Sequence, residues 1–430
     1  MIRALGSGVS GLNNHQVRMD VVGNNIANVN TIAFKRGRVT FNEVLGQEYS
    51  TVGRTPSPNP TNPSFIGLGV HVGSIDQAWF QGRLETTNVE TDFAISGDGF
   101  FVANAFDQQL LTRAGNFTLN SQGVLTTSSG APVQGFRIDE ATGNADMTSM
   151  TDIQIDLTRT APPIATSTMT LSGNLNAALS DNGGVNPDSE SMNGFVYDEQ
   201  GNTHLVTFNF EKASADGATP DVYQVTVTGD PDSNQFGGTP LVFTAEFGTD
   251  GRLESIDGVG VDDPGFALPT LNWDPSVVNI TGADTVQIDL SSMTQLGERT
   301  SAILSDQDGR SSGQLTGFRV SNQGIFQLTF DSGQTVDTFQ FAVARVRNPN
   351  GLDQFGENVY GANNISGVAN IGRAGNEINA IVIAGTLEMS NVDLASEFSD
   401  MITTQRGFQA NARVIRVADE LLAETVNLKR

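Results

Sequence analysis

Val22-Gly23-Asn24-Asn25-Ile26-Ala27-Asn28-Val29-Asn30-Thr31-Ile32-Ala33-Phe34-Lys35-Arg36 closes an apolar stripe that begins at the N-terminus. Ile2, Leu5, Val9 and Leu12 are spaced 3, 4, 3; Met19 stands seven residues after Leu12, and Val22, Ile26 and Val29 repeat the 3, 4, 3 pattern. This heptad-like period predicts a helix with one apolar face. Four Asn in seven residues, Asn24 to Asn30, weaken a helix interior. They suit a helix end, where side-chain amides bond backbone groups or a neighbouring chain. A plain C-cap and loop accounts for one or two of them.

A second stripe lies at the other end. Leu394, Phe398, Met401, Gln405, Phe408, Ala412 and Ile415 run 4, 3, 4, 3, 4, 3, and Leu421, Leu422 and Leu428 continue the face. Ser390-Asn391-Val392-Asp393 puts a capping oxygen three residues before a carboxylate, a helix start. Two amphipathic helices on one globular core would be the ordinary reading. Here one stripe sits at each terminus, which argues for ends that pack together.

The residues between read as β. Short alternating runs are separated by turn dipeptides. Phe93 to Val102 reads as strand, Asp98-Gly99 turn, strand, a hairpin. Phe243 to Phe247, Asp250-Gly251 and Leu253 to Ile256 repeat the plan. The 47 Gly are spread through such turns. Pro58, Pro60 and Pro63 mark a linker at 54–66. Further junctions are expected near Ala161-Pro162-Pro163 and around Ser291–Thr300. The expected division is therefore an N-terminal helix over 1–34 and a connecting segment with the Pro-rich linker over 35–66. An inner β domain follows in two pieces, 67–150 and 303–386, with an inserted outer β domain at 151–302, and then a C-terminal helix over 387–430. The fold class is mainly β with terminal α-helices that form a coiled-coil-like domain.

Composition removes several function classes. The 430 residues carry 23 Lys+Arg against 48 Asp+Glu, a formal charge of −25. Nucleic acid and anionic membrane surfaces both call for a basic face. Residues 55–390 hold a net −27 and the ends are nearly neutral, so the middle is the part expected to face solvent. No Cys is present and the three His (His15, His71, His204) are scattered, which argues against thiolate chemistry, a Cys-ligated zinc or a His-based triad. No stretch is apolar enough to insert in a membrane, and the first residues lack the apolar run of a cleaved secretory signal.

Two motifs have plainer readings than chemistry. Gly6-Ser7-Gly8-Val9-Ser10-Gly11 matches GxGxxG, but a dinucleotide site needs a preceding strand, and five residues cannot supply one. Small residues that let two helices approach explain it better. Asp306-Gln307-Asp308-Gly309 resembles half a calcium loop without the closing Glu, so an Asx turn between strands is expected. Asp230-Pro231-Asp232 and Asp262-Asp263-Pro264 read as turns. A secreted acidic β-rich enzyme or glycan-binding protein stands as the reading from another class; a carboxylate pair cannot be tested by spacing.

The run from Val22 to Arg36, with Ser10-Gly11-Leu12 upstream, resembles the signature of the flagellar rod and hook proteins. Glu388-Met389-Ser390-Asn391-Val392-Asp393-Leu394, followed by Met401-Ile402, Gln405-Arg406, Phe408 and Asn411, looks like the matching C-terminal signature. Ile95-Ser96-Gly97-Asp98-Gly99-Phe100-Phe101 is similar to the family's inner-domain hairpin. Ala33 departs from the family's usual Gly before the Phe, which speaks against a positive-φ turn there. Size and the insert point to the hook branch, a curved flexible tube that passes motor torque to the filament as a universal joint. The distal rod, a straight drive shaft, is the near alternative, because segment 54–66 sits where distal rod proteins have an extra stretch.

No cofactor and no dedicated metal site are expected, and a Ca²⁺ contact from paired surface carboxylates stays open. The resemblance implies a helical homopolymer that meets the distal rod, the hook cap and the hook–filament junction proteins. It also implies an uncleaved N-terminal signal read by the flagellar type III export apparatus, with Phe41 and Leu45 as a Phe-x-x-x-hydrophobic export motif. Hooks cross-linked through Cys exist, and that chemistry is absent without Cys. The residues expected to carry assembly are Leu5, Val9, Leu12, Met19, Val22, Asn24, Asn25, Ile26, Asn28, Thr31 and Phe34. At the other end they are Asn391, Leu394, Phe398, Met401, Gln405, Arg406, Phe408, Asn411 and Ile415. Isolated amphipathic helices are marginal in water, so both ends are expected to be poorly ordered in the monomer and to fold on assembly.

Overall fold

The computed structural model describes residues 2–50, 64–105, 108–140, 142–179, 188–213, 221–229, 236, 239–274 and 285–427. The expected fold class holds. Helix α1 spans Ile2–Ala27 and helix α2 spans Leu394–Asn427, and the elements between are short β-strands. At about 1.5 Å per residue the helices are ~39 and ~51 Å long. Among the described residues, no helix is long and apolar enough to cross a membrane.

The chain divides into two compact units. The first comprises residues 1–156, 318–327 and 336–430, and the second comprises 157–317 and 328–335. The insert therefore begins a few residues later than 151 and runs past 302. The junction expected around Ser291–Thr300 falls partly inside the strand Thr285–Leu296. That strand buries Val286, Ile288, Leu290 and Met293 in the core of its unit, so its alternation outweighs the local run of small polar residues. Of the Pro-rich linker, 54–63 lies outside the described residues, as do Asp230-Pro231-Asp232 and Leu428.

In the first unit, strand Gly37–Glu43 leaves α1 and pairs antiparallel with Val70–Gln77. Strand Thr386–Glu388, just before α2, pairs with Leu84–Thr86. Both helices are thus rooted in strands of one unit. Its core is aromatic: Phe93, Phe101, Phe117, Phe326 and Phe341 are buried with ring centroids 4.8–6.3 Å apart. Such pairs add about 0.5–1.5 kcal/mol each beyond their area.

The hairpin expected over Phe93–Val102 is not formed. Strand Phe93–Gly97 pairs with Ala380–Ala384, whereas Phe100–Ala105 pairs with Gln108–Thr112 and with Thr335–Arg345. Gly97 has φ +103°, and a Cβ there would sit 2.8 Å from the Asn379 carbonyl. The chain turns at this glycine, and each strand finds a distant partner that buries it on both faces.

The second unit holds a six-stranded antiparallel sheet in sequence order from Ser189–Tyr197 to Val259–Gly260. Its four-stranded sheet carries Thr168–Asn176 parallel to Thr285–Leu296. Residues from both sheets, among them Phe208, Tyr223, Trp273 and Ile288, share one core. Asp308 makes no local Asx turn. Its carboxylate accepts from the backbone N–H groups of Ser167 and Thr168 at 2.8 and 3.0 Å, so it pins the start of a strand 140 residues earlier in sequence. These bonds hold its carboxyl below the ordinary range against the opposing effect of burial.

Ala33 overturns a further expectation. Its φ is +58°, the left-handed region that Gly favours. The residue is fully buried, and its N–H donates to the Glu388 carbonyl at 2.8 Å. Surrounding packing holds a conformation that costs an L-residue ~1–2 kcal/mol. Ala33→Gly is expected to leave stability within about 1 kcal/mol, as strain relief offsets the lost methyl and the looser unfolded chain. Ala33→Val, β-branched at φ > 0 and without space, is expected to cost about 2 kcal/mol or more. Urea melts of the two variants check this.

Candidate functional site

The two helices meet through small residues. A Cβ at Gly11 would lie 2.6 Å from Asn411 Nδ2, and one at Gly8 would lie 3.1 Å from Ile415 Cγ1. Across the same contact a Cβ at Gly407 would lie 2.6 Å from the His15 ring. The glycines of the Gly6–Gly11 segment thus act as a close-approach surface, although Gly6 itself faces open space. Val22 is buried, and Leu5, Leu12, Met19, Ile26, Met401, Phe408 and Ile415 are half-buried. Val9, Leu394 and Phe398 are exposed, as are Gln405 and Arg406.

The Asn run divides into two roles. Asn28 Nδ2 donates to the carbonyl and side chain of Asn24 at 2.9 and 2.7 Å, and Thr31 Oγ1 donates to Asn28 Oδ1 at 3.0 Å. These three residues close α1 as a local cap. Asn25 is buried and does something else. Its Oδ1 accepts from Gly37 N–H at 2.8 Å, and its Nδ2 donates to the Gly37 carbonyl at 2.9 Å and to Glu397 Oε2 at 3.1 Å. One amide therefore ties α1, the first strand and α2.

Around it lies a charge network that sequence spacing did not reveal. Glu397, fully buried, faces Arg36 with Nε 2.5 Å from Oε1, off the line of a hydrogen bond. Asp400 bridges Arg36 at 3.2 Å and Arg18 at 3.0 Å. Two cations of the N-terminal segment thus meet two carboxylates on the first turns of α2.

A second cluster lies beneath. Glu388 Oε1 accepts from Lys35 Nζ at 2.6 Å and from Gly82 N–H at 2.8 Å, and its Oε2 lies 3.3 Å from Arg113 Nη1. All three side chains are buried. Lys35 Nζ also donates to the Phe80 carbonyl at 3.0 Å, and Arg113 Nη2 donates to that of Gly97 at 2.7 Å. Burial pushes the Lys35 ammonium below the ordinary lysine value; Glu388 opposes this and Arg113 adds to it.

Asn391 completes the junction. Its Oδ1 accepts from Arg36 N–H at 2.8 Å, and its Nδ2 donates to the carbonyls of Ala78 and Phe80 at 2.7 and 2.9 Å. Those bonds hold 390–392 out of the helix. The N-cap of α2 is accordingly Asp393, which accepts from Ala395 N–H at 2.9 Å, and not Ser390 as the spacing suggested. Phe34 is half-buried, and its carbonyl accepts from Asn391 N–H at 3.3 Å. Both helices are formed and joined within the structure, where these polar contacts fasten what isolated helices could not hold.

Phe41 lies in strand Gly37–Glu43, beside a register shift between Thr40 and Phe41, and is half-buried opposite Val72. Leu45 follows that strand and is 89% exposed.

Glu388→Ala is expected to destabilise the first unit by about 3–5 kcal/mol, because it strands two buried cations. Lys35→Met is expected to cost less, since Arg113 still neutralises Glu388. Urea melts compare the two; an equal loss would show that Glu388 is no more the hub than Lys35.

Four family models match in chain order. They are described as flagella basal body rod protein over residues 5–35, flagellar hook protein FlgE/F/G D1 domain over 94–173, flagellar basal body protein FlaE D2 domain over 174–310, and flagellar basal body rod FlgEFG protein C-terminal over 383–428. The flagellar hook protein FlgE of Treponema pallidum is 36% identical, with all of both chains covered. That of Borreliella burgdorferi is 35% identical over the same full span, and that of Escherichia coli is 30% identical, with 99% of this chain and 100% of that one covered. The crystal structure of Helicobacter pylori FlgE2 aligns over 71% of this chain and 100% of that one, at 14% identity and a TM-score of 0.48. With its terminal helices, its two β units and full-length relatives of one kind, this chain belongs to the flagellar hook protein FlgE family.

Proposed function

We propose that the chain is the repeating subunit of a curved, flexible tube that transmits torque as a universal joint, with no catalytic step and no cofactor. The observation that carries the reading is the apolar surface left on α2 after α1 has docked, in one patch near the start of the helix and a second twelve residues further on. Phe398, Ile402, Val417 and Leu421 are each about half exposed and Val414 nearly so. Half-exposed apolar patches of this kind are ordinary neither for a solvent-facing helix nor for a core one. Each such side chain contributes ~1.5–3 kcal/mol once fully buried, and a second copy of the pair supplies the missing cover. A contact that does not close on itself gives an open helix of subunits.

In this reading the terminal segments 1–34 and 387–430 make the inner tube, and the residues named for assembly act in two ways. Asn24, Asn25, Asn28, Thr31 and Asn391 shape the junction within one chain. Val9, Leu394, Phe398, Gln405 and Arg406 face neighbouring copies. The acidic middle gives polar, individually weak contacts that slide as the tube bends. The tube meets the distal rod below, the hook cap while growing and the hook–filament junction proteins above. Full-length relatives named as hook proteins favour this over the straight distal rod.

Phe398→Ser with Leu421→Ser is expected to change monomer stability by about 0.5 kcal/mol or less per site. The same pair is expected to raise the concentration needed for tubes roughly tenfold or more. Electron microscopy of the unmodified chain should show curved tubes; straight, stiff ones would move the reading to the rod. Subunits leave through the type III export apparatus in this reading, with Phe41 and Leu45 as the signal. Phe41→Ala is then expected to reduce secretion several-fold, and secretion at the normal level would remove the motif.

A further inference from the structure

The first unit carries a groove of about 920 Å³ whose lining includes Trp79, Phe100, Arg113, Arg345, Arg347 and Val368. Its charge is out of keeping with the chain. Residues 55–390 hold 12 Lys+Arg against 39 Asp+Glu, yet two exposed arginines, Arg345 and Arg347, line this groove with one acidic residue, Asp98, while the third, Arg113, is already paired with Glu388. Arg345 and Asp98 are both largely exposed and 4.0 Å apart, the outer limit of an ion pair, and Arg347 is exposed. Arg113 is buried, with its guanidinium carbon 5.5 Å from the Phe100 ring centroid. The wall is stiff. Trp79 packs edge-on to Phe100 and Tyr360 at 5.4 and 5.1 Å, and its Nε1–H donates to Asn350 Oδ1 at 2.9 Å. On the rim Val368 is 93% exposed.

We propose that this groove takes an acidic surface turn of a second copy of this chain. The proposal rests on the polymer reading above and names a contact apart from the helices. Charge selects the occupant. The exposed guanidinium groups of Arg345 and Arg347 offer directed N–H donors to carboxylates, and exposed acidic turns on the middle of each neighbouring copy, Asp262-Asp263 among them, supply these. The contact is heterologous, because a basic groove cannot pair with its own image. It therefore propagates along an open polymer and does not close into a dimer. Exposed charge pairs are weak and screened by salt, so the contact sets register and yields as the tube bends.

The test uses the full chain. Tube formation by the unmodified protein is followed first, by light scattering and electron microscopy. Its failure would overturn the polymer reading, and this contact with it. Given tubes, Arg345→Glu with Arg347→Glu is expected to raise the critical concentration about tenfold in low salt and less in high salt. An unchanged critical concentration would overturn this contact and leave the polymer reading standing. Should the charge-reversed chain lose its near-ultraviolet dichroism, Arg345→Gln with Arg347→Gln is measured in its place, against the same two outcomes. Independently, Val368→p-benzoylphenylalanine is irradiated in assembled tubes. A cross-linked peptide from a second copy that contains adjacent Asp or Glu supports the contact. Cross-links confined to the same chain, to an uncharged segment or to another protein would overturn it.

Discussion

Glu388 is the constraint from which the junction follows. It is a buried carboxylate that receives Lys35 from a position 353 residues away and Arg113 from 275 residues away. A buried charge without partners costs several kcal/mol, so a chain with Glu388 inside must bring those cations to it. Lys35 stands just beyond the turn that follows α1, and Glu388 just before α2. Fastening one to the other fixes where α1 ends relative to where α2 begins, and the contacts of Asn25, Arg36 and Asn391 build on that placement.

The polar network and the apolar surface of α2 have different consequences. Hydrogen-bonded charges demand particular atoms at particular distances, and this suits a contact that must form once, within one chain, with no alternative register. Apolar surface is non-directional. The half-exposed Phe, Ile, Val and Leu side chains on α2 demand no particular partner atom. Specificity thus resides in the polar contacts within the chain, and the outside of the helix pair keeps apolar surface. The glycines at 8, 11 and 407 belong with the specific, internal contact. They bring α1 and α2 close enough for Asn411 and His15 to occupy space that any side chain at those positions would take.

Much of this was legible in the sequence. The 3-4 spacing of Ile2 to Val29 and of Leu394 to Ile415 gave both helices, the Gly-rich N-terminal motif gave their close packing, and the alternating runs gave the β middle. What was hidden is long-range. No local rule tells that Asn25 is the buried amide and Asn24 and Asn28 the cap, since all three share the same context. Phe93–Val102 reads as a hairpin because its turn chemistry is right, yet the first strand pairs with Ala380–Ala384 and the second chiefly with Gln108–Thr112. Ala33 reads as ordinary backbone, yet tertiary packing drives it to φ +58°. Ser390 and Asp393 are both competent caps, and the choice falls to Asp393 because Asn391 is engaged elsewhere.

The two β units extend the same physics. The first is stapled by aromatic rings and by strands whose partners lie hundreds of residues apart, so it cannot open at one place without loosening the strand that feeds α2. The second has a six-stranded sheet of neighbours in sequence and a core of its own. Local pairing of that kind forms early and independently. A chain built this way can keep an insert of its own character, acidic and rich in turns, without disturbing the junction, because no ligand of Glu388 comes from the insert. Variation in the insert leaves the contacts of Glu388 untouched, whereas a change at Lys35, Arg113 or Asn391 acts on the course of both helices at once.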